Sequence, residues 1–572
     1  MADQHDAIPR SNPWLLVTWV GMAILTLYFA FTGWMDRAAY FHEPTRLRAA
    51  ENAAFLTFHV FGFSEVYASP ENVGDDWRLL AARWLGSSLF VVAAGAATFR
   101  LFGAHIASLR AALGRGHTLI IGDHEMATAL IAHGLAQGLP MLHLSNEATV
   151  PHAKTNLITL PRSSGEDPLD IGRANQARRV IVAERDLGAS AELALRARGR
   201  ASRSRGASTI VAVHLDDPAT AELIHHVAGN VDLFTFSEAK ASARVELGRH
   251  PPFLLARQIG ATSVQVLIIG FNWLGQALAK DIVVTSLTSE LTLPSITVID
   301  ADPTPTLDFL HRHPEFDQIC NFEAVRDLEE SELFKASKGA AVCGAYICLA
   351  DSAEALAAAV TLRERAARFD AMRGPIFVRL RSGGLLLATG GVTDLKPLSL
   401  YSFASLDDAA AGSRALLDDP DSAARSVYTR YSGVEQAHGQ EWNELSEESR
   451  ISNRRIVSHL LAKLVSLGFD LEPWLRIPAD ERIWPIPIDP SEPLFRNEED
   501  RRLTAELEHR RWVTDRRLNG WRYGVEQDDR RKIHPDLIPF DELPASTQDY
   551  HYKIADWLDG FLPRAAGGLK RG

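Results

Sequence analysis

Three cysteines in 572 residues are too few for a disulfide scaffold, and Cys320, Cys343 and Cys348 match no zinc spacing. They read as small buried residues in a reducing compartment. The basic excess that a nucleic-acid binder needs is also missing. Sixty Lys and Arg stand against 72 Asp and Glu, a net charge of −12, so no nucleic-acid partner is expected. There is no G-x-S-x-G string and the histidines are scattered. An NAD-dependent oxidoreductase would need a proton donor facing the nicotinamide, and none is evident, so a non-enzymatic role is expected. Apolar residues make up an ordinary 46%, which confines any membrane part to a short region.

Against these absences stands one uncharged apolar run, Trp14 to Met35. It reaches the ~20 residues that cross a hydrocarbon core, with tryptophans at both ends to suit the interfaces. It is too long for a signal peptide and no clear cleavage site follows. A second run covers Leu79 to Gly103, with Arg83 and Arg100 near its ends, where long side chains can snorkel. Two spans, at 14–35 and 79–103, put both chain ends on one side. Arg100, Arg110 and Arg115 follow the second span and acids fill the intervening loop. The expectation is a multi-pass inner-membrane protein whose residues 1–112 meet lipid and whose larger part is cytoplasmic.

Between the spans lies a short apolar segment, 53–66, of a length suited to a re-entrant half-helix. Span, short helix, polar turn and span is the order of a two-helix pore module. The turn FGFSEVY, with Gly62, Ser64 and Glu65, occupies the place of a selectivity filter but is not the T-V-G-Y-G carbonyl ladder. Glu65, Glu71, Asp75 and Asp76 would make the outer mouth acidic. The competing reading is a solvated loop with ordinary charges.

Two strand–helix–strand patterns follow. The first opens on HTLIIG and continues into PMLHLS. The dinucleotide fingerprint G-x-G-x-x-G uses its glycines for a tight turn, close pyrophosphate approach and helix packing. Here those places hold Gly122, His124 and Ala127, so a histidine stands where phosphate should approach. The second pattern, VQVLIIGFNWLGQALAKDI, offers Gly270, Asn272 and Gly275, and SITVIDAD ends a strand on Asp300, placed to accept from ribose hydroxyls. The later halves also correspond: ARRVIVAERDLGASAELALRAR parallels GAYICLADSAEALAAAVTLRER. A repeat of this size predicts two copies of one α/β domain with parallel sheets, at 113–255 and 256–402. An Ala-, Asp- and Ser-rich linker is expected over 403–425.

Two spans feeding tandem βαβ units resemble the RCK (regulator of potassium conductance), or TrkA-N, class over roughly residues 14–400. The resemblance implies a homo-oligomer, a tetramer, with a ring of Rossmann-like domains under a pore. It also implies NAD(H) or an adenine nucleotide at Gly270, Asn272, Gly275 and Asp300, with a weaker counterpart at Gly122, His124 and Ala127. The sequence departs from that class at the filter and at His124.

In residues 426–572, Leu503 to Leu562 is similar to the RyR domain, the repeat of ryanodine receptors. The match runs through Glu508, His509, Trp512, Gly520, Trp521, Tyr523, Gly524, Asp528, Lys532, His534 and Pro535. It implies an all-α module without catalytic machinery. Trp512, Trp521 and Tyr523, with Arg516, Asp528 and His534, are either core or a ligand or docking surface that stacks a nucleobase. The multidomain whole is thus expected to be a ligand-gated cation channel. The alternative is a non-conducting, membrane-anchored nucleotide sensor that signals through a partner.

Overall fold

The computed structural model of the chain describes residues 13–37, 45–61, 67, 73–94, 114–148, 152–154, 156–162, 165–201, 209–228, 233–328, 342–369, 372–381, 399–432, 442–477 and 485–572. It divides into two compact units, one covering Met1–Arg110 with Val150–Ala153, the other Ala111–Thr149 with Lys154–Gly572.

The first unit is helical. Pro13–Arg37 carries the apolar run, Arg46–Phe58 is a shorter helix, and a third helix covers 77–94. Ala30, Trp34, Ala53, Val60, Tyr67, Val73, Leu79 and Ala82 form its core, in which the Trp34 indole donates to the Tyr67 hydroxyl at 2.7 Å. Arg78 pairs with Asp36 at 2.5 Å and with Asp76 at 3.0 Å. Among the described residues no helix is long and apolar enough to cross a membrane. The spans expected at 14–35 and 79–103 are therefore not met as such. Asp36 and Arg37 close the first helix, and the third, described only to residue 94, carries Arg78 and Arg83. The short helix starts at Arg46 rather than Ala53, because the Thr45 side chain accepts the Arg48 amide and caps it. Arg46, Arg48 and Glu51 make its first half polar. Gly62, Ser64 and Glu65 lie outside the described residues.

The second unit holds two sheets, save that His152 and Ala153 of β3 are grouped with the first unit. The first contains β1 (Thr118–Ile121), β2 (Met141–Ser145), β3 (His152–Lys154), β4 (Leu157–Pro161), β5 (Arg179–Val182), β6 (Ile210–His214) and β7 (Leu233–Phe236), in the order β3-β4-β2-β1-β5-β6-β7. From β4 to β7 all pairings are parallel. The second contains β8 (Ser263–Ile269), β9 (Thr292–Ile299), β10 (Asn321–Val325), β11 (Gly344–Ile347), β12 (Ile376–Arg379) and β13 (Leu400–Phe403), all parallel in the order β10-β9-β8-β11-β12-β13. The expected tandem parallel α/β architecture is present.

The central strands are largely apolar and buried, as in TLII of β1 and GAYI of β11, because helices cover both faces. Successive residues point to opposite faces, so Leu119 and Ile121 enter one core while Ile120 enters another. Val266 and Ile268 divide from Leu267 and Ile269 in the same way.

The stretch 403–425 is ordered. Ser405 and Asp408 form a capping box that starts the helix Leu406–Gly412. Ala409, Ala410, Ala415 and Leu416 pack into the first sheet's core with Ile120 and Leu130, and Asp418 pairs with Arg178 and Arg179. What read as a linker is a strap that returns from the second sheet to the first. Beyond it stand the helices Glu447–Ser458, Leu460–Ser466, Glu498–Leu518 and Ala545–Phe561. Their Ile456, Leu464, Leu518 and Leu558 belong to the core that holds Val266, Ile268 and Leu278. The second sheet and the C-terminal helices thus share one interior.

Candidate functional site

In each sheet the first strand ends in a turn and a helix at the carboxyl edge, where open α/β sheets take ligands. In the second sheet the turn is Gly270-Phe271-Asn272. Gly270 has φ +84°, and a Cβ there would stand 3.0 Å from the Leu349 side chain. A Cβ on Gly275 would come within 2.6 Å of the Gly270 carbonyl, so the third glycine serves helix packing as the spacing predicts. Asn272 is the N-cap of Trp273–Thr285: its Oδ1 accepts from the amides of Leu274 at 3.0 Å and Gly275 at 3.4 Å. Its Nδ2 donates to the Cys348 carbonyl at 2.6 Å, which ties the turn to the end of β11.

The Asp300 carboxylate accepts from the Phe271 amide at 2.7 Å and from the Asp302 amide at 3.0 Å. Gln276 donates to the Phe271 carbonyl at 3.0 Å and accepts from Arg312 at 2.9 Å. Gly270, Asn272, Gly275 and Asp300 do converge. They converge by stitching the turn shut, and the amides that would meet a phosphate are capped by Asn272.

The first sheet repeats the design with different donors. Gly122 has φ +120°, and a Cβ would lie 2.2 Å from the Ala183 carbonyl. His124 caps the helix Glu125–Ala136, its Nδ1 accepting the Met126 amide at 3.1 Å. Its ring lies 4.4 Å from that of His214, and burial, then the nearby His214, pushes its pKa below the usual range. One ligand-type atom from each of His124, His214 and Asp216 falls within a 4.8 Å group, although Nδ1 of His124 is committed to the cap. Ala127 is buried against the sheet. Asp123 accepts from the Ser145 hydroxyl at 2.5 Å and the Asn146 amide at 2.8 Å.

Beside this turn is an open cleft of about 480 Å³, lined by Asn146, Arg162, Gly165, Glu166, Glu184 and Ala189 among others. Asn146 follows β2, Arg162 follows β4 and Glu184 follows β5, so the cleft lies on the carboxyl edge of the sheet. Arg162 and Glu184 form an ion pair there. The guanidinium can bind phosphate and the carboxylate can accept from hydroxyls. Sequence reasoning missed Arg162 and Glu184. The available signal was a charged residue within two positions of each strand's end, in TLPR and VIVAE.

The C-terminal aromatic group is closed as well. Trp521 is buried and its indole donates to Glu448 at 2.9 Å. The Arg516 guanidinium lies 4.8 Å from the Trp521 ring and 5.5 Å from the Trp512 ring, and also bonds Glu448. His534 sets its ring 5.0 Å from Trp512 and accepts the Asp536 amide. Thus Trp512, Arg516, Trp521 and His534 come together with Arg516 already on the aromatic faces. Tyr523 is exposed, and Asp528 accepts the Arg531 amide in a turn.

Residues 484–559 match the RyR domain. Among solved structures, one described as GsuK bound to ADP is 15% identical, with 72% of this chain and 96% of that chain covered at a TM-score of 0.32. The GsuK channel bound to NAD is 14% identical over 72% and 84%, at 0.34. The GsuK RCK domain is 13% identical over 54% and 76%, at 0.31. Likeness this distant assigns no role, and the functional reading rests on the chain's own residues.

Proposed function

We propose that the chain is a nucleotide sensor: NAD(H) or an adenine nucleotide binds the cleft of the first α/β domain, and the response passes to the RyR module and the N-terminal helices. The carrying observation is the cleft with Arg162, Asn146 and Glu184 on the carboxyl edge of the first sheet. The stitched turn of the second domain serves as a rigid link. Its helix Trp273–Thr285 packs on both Glu447–Ser458 and Glu498–Leu518. A ligand shifts such a protein only through unequal affinity for two states. The role is binding rather than catalysis.

A second reading, a ligand-gated cation channel assembled as a tetramer in the inner membrane, draws support from the first unit. There Val20, Ile24, Tyr28, Trp84 and Val91 stand exposed, a surface suited to lipid or neighbouring subunits. Calorimetry with NAD, NADH and ADP on wild type and Arg162→Ala tests the sensor. Loss of binding in the variant supports it, and unchanged binding rejects the cleft. Ion flux in liposomes that responds to the nucleotide and falls on Glu65→Gln selects the channel, and silence selects the sensor alone.

A further inference from the structure

The last residue of β6 is a histidine that the nucleotide cleft does not use. His214 is 1% exposed, and neither of its ring nitrogens makes a hydrogen bond. Phe236, its pair on β7, stands beside it with ring centroids 5.5 Å apart and offers no polar atom. Two enclosed nitrogens without partners are costly, and a group left so in a fold calls for an occupant.

Two neighbours make a cluster of this imidazole. Its Nε2 lies 3.3 Å from Oδ1 of Asp216, outside hydrogen-bond geometry, and the His124 ring is 4.4 Å away, tilted by 40°. One ligand-type atom from each of the three falls within 4.8 Å of the others. Sheet order explains the meeting. β5 lies between β1 and β6, and it gives way to Ala183, which is small and buried. The Ala183 carbonyl accepts the His124 amide at 3.1 Å, so the turn after β1 leans across the end of β5 towards His214.

The Asp216 carboxylate is braced from behind. Its Oδ1 accepts the Glu238 amide at 2.9 Å, and the Glu238 carboxylate is held by Arg379 at 3.2 Å and Arg381 at 2.9 Å, which come from the second sheet. Outer partners of this kind orient a ligating carboxylate. Its Oδ2 makes no hydrogen bond among the described residues, and the side chain is 35% exposed, so an ion can enter from solvent.

We propose that His124, His214 and Asp216 bind one divalent transition-metal ion of the zinc class. Two imidazoles and a carboxylate suit zinc, whereas calcium and magnesium take oxygen ligands. Three protein ligands leave a fourth position to water. A neutral imidazole has one lone pair, and that of His124 accepts the Met126 amide at 3.1 Å in the metal-free chain. The ion therefore takes His124 away from its capping bond at the start of Glu125–Ala136, a helix that packs on the strap helix Leu406–Gly412. Occupancy is coupled to the strap on one side and, through Glu238, to the second domain on the other. None of the three ligands lines the nucleotide cleft.

The test uses the full chain, stripped with a chelator and then titrated with Zn2+ by calorimetry and with Co2+ by visible absorption. Wild type should bind one zinc per chain with a rise in melting temperature, and cobalt should give the intense bands of a four-coordinate site. His214→Phe keeps a ring in the buried place, and Asp216→Asn keeps the acceptor for the Glu238 amide. Each should weaken zinc binding about tenfold or more, at least the loss that follows removal of an outer partner. His124→Asn, which still caps the helix but offers no imidazole, should weaken zinc equally while the metal-free chain melts as before. Absence of zinc binding to wild type overturns the site. Zinc affinity unchanged in His214→Phe and Asp216→Asn also overturns it and assigns the ion to other histidines. Zinc binding should survive Arg162→Ala, so the metal site and the nucleotide cleft fail separately.

Discussion

The Asp300 carboxylate, at the end of β9, accepts the Phe271 amide of the first turn at 2.7 Å. In the first domain the same two places are joined with the polarity reversed: Asp123 in the turn accepts the Asn146 amide after β2 at 2.8 Å. Each domain thus locks its first turn to its second strand, by a carboxylate from opposite sides. A residue placed to receive a ribose works here as a latch. Asp300→Ala should therefore cost about 1–3 kcal/mol of stability, the penalty for orphaning an amide beside a charge-assisted bond. It should leave nucleotide affinity within about twofold. Asp300→Asn, which keeps an acceptor, should cost less. Urea denaturation beside calorimetry checks both, and a large affinity loss at Asp300 would return the ligand to the second domain.

The ion pair of Arg162 and Glu184 sets up the complementary expectation for the cleft. Arg162→Ala should weaken nucleotide binding by about 2 kcal/mol or more, the range for a charge-assisted phosphate contact. Glu184→Gln should act in the same direction but less, because it frees the guanidinium while removing an acceptor. If the arginine serves the fold alone, melting temperature falls and affinity holds.

The strands were legible because parallel strands buried on both faces leave long apolar runs, as in VLII and AYI. The paired domains were legible because the runs recur with the same small residues after them. The roles of His124 and Asn272 were harder to read. Both occupy fingerprint positions, yet each immediately precedes an apolar helix and acts as its cap. The strap at 403–425 is hard to read from sequence because Ala, Asp and Ser suggest looseness, although Ser405 and Asp408 stand at capping-box spacing. Arg162 and Glu184 meet only through sheet order, which places β4 and β5 on either side of β2 and β1. No local pattern announces that.

Glu508 sits fully enclosed between Lys463 at 2.6 Å and Arg511 at 2.8 Å. Burial opposes its ionised form, but the two cations prevail and hold the carboxyl down at about 2. Its stabilising share is present above its unfolded value near 4.5 and is lost as pH falls towards 2. Glu508→Gln should cost about 3–5 kcal/mol, since it strands a buried lysine. The acid-unfolding limb of the wild type between pH 4.5 and 2 should flatten in the variant. Circular dichroism across that range decides it, and an unchanged limb would place the acid sensitivity elsewhere.

His313 joins the second α/β domain to the RyR module through a 2.7 Å bond between Nδ1 and the Leu518 carbonyl. Burial first, and then Lys280, depress its pKa to about 4. Neutral in the fold, its Nδ1 carries the proton and donates it. A depressed histidine favours folding above its unfolded pKa near 6.5 and loses that share as pH falls towards 4. The junction should therefore loosen between pH 6.5 and 4 while the sheets stay intact. Hydrogen exchange should show the end of Glu498–Leu518 losing protection in that window, ahead of β8 and β9. His313→Asn, which can still donate to the carbonyl without titrating, should remove the pH dependence, and His313→Ala should expose the same helix end at every pH. Protection that does not change from pH 6.5 to 4 would mean that the junction is held by its shared apolar core alone, through Leu278, Leu518 and their neighbours.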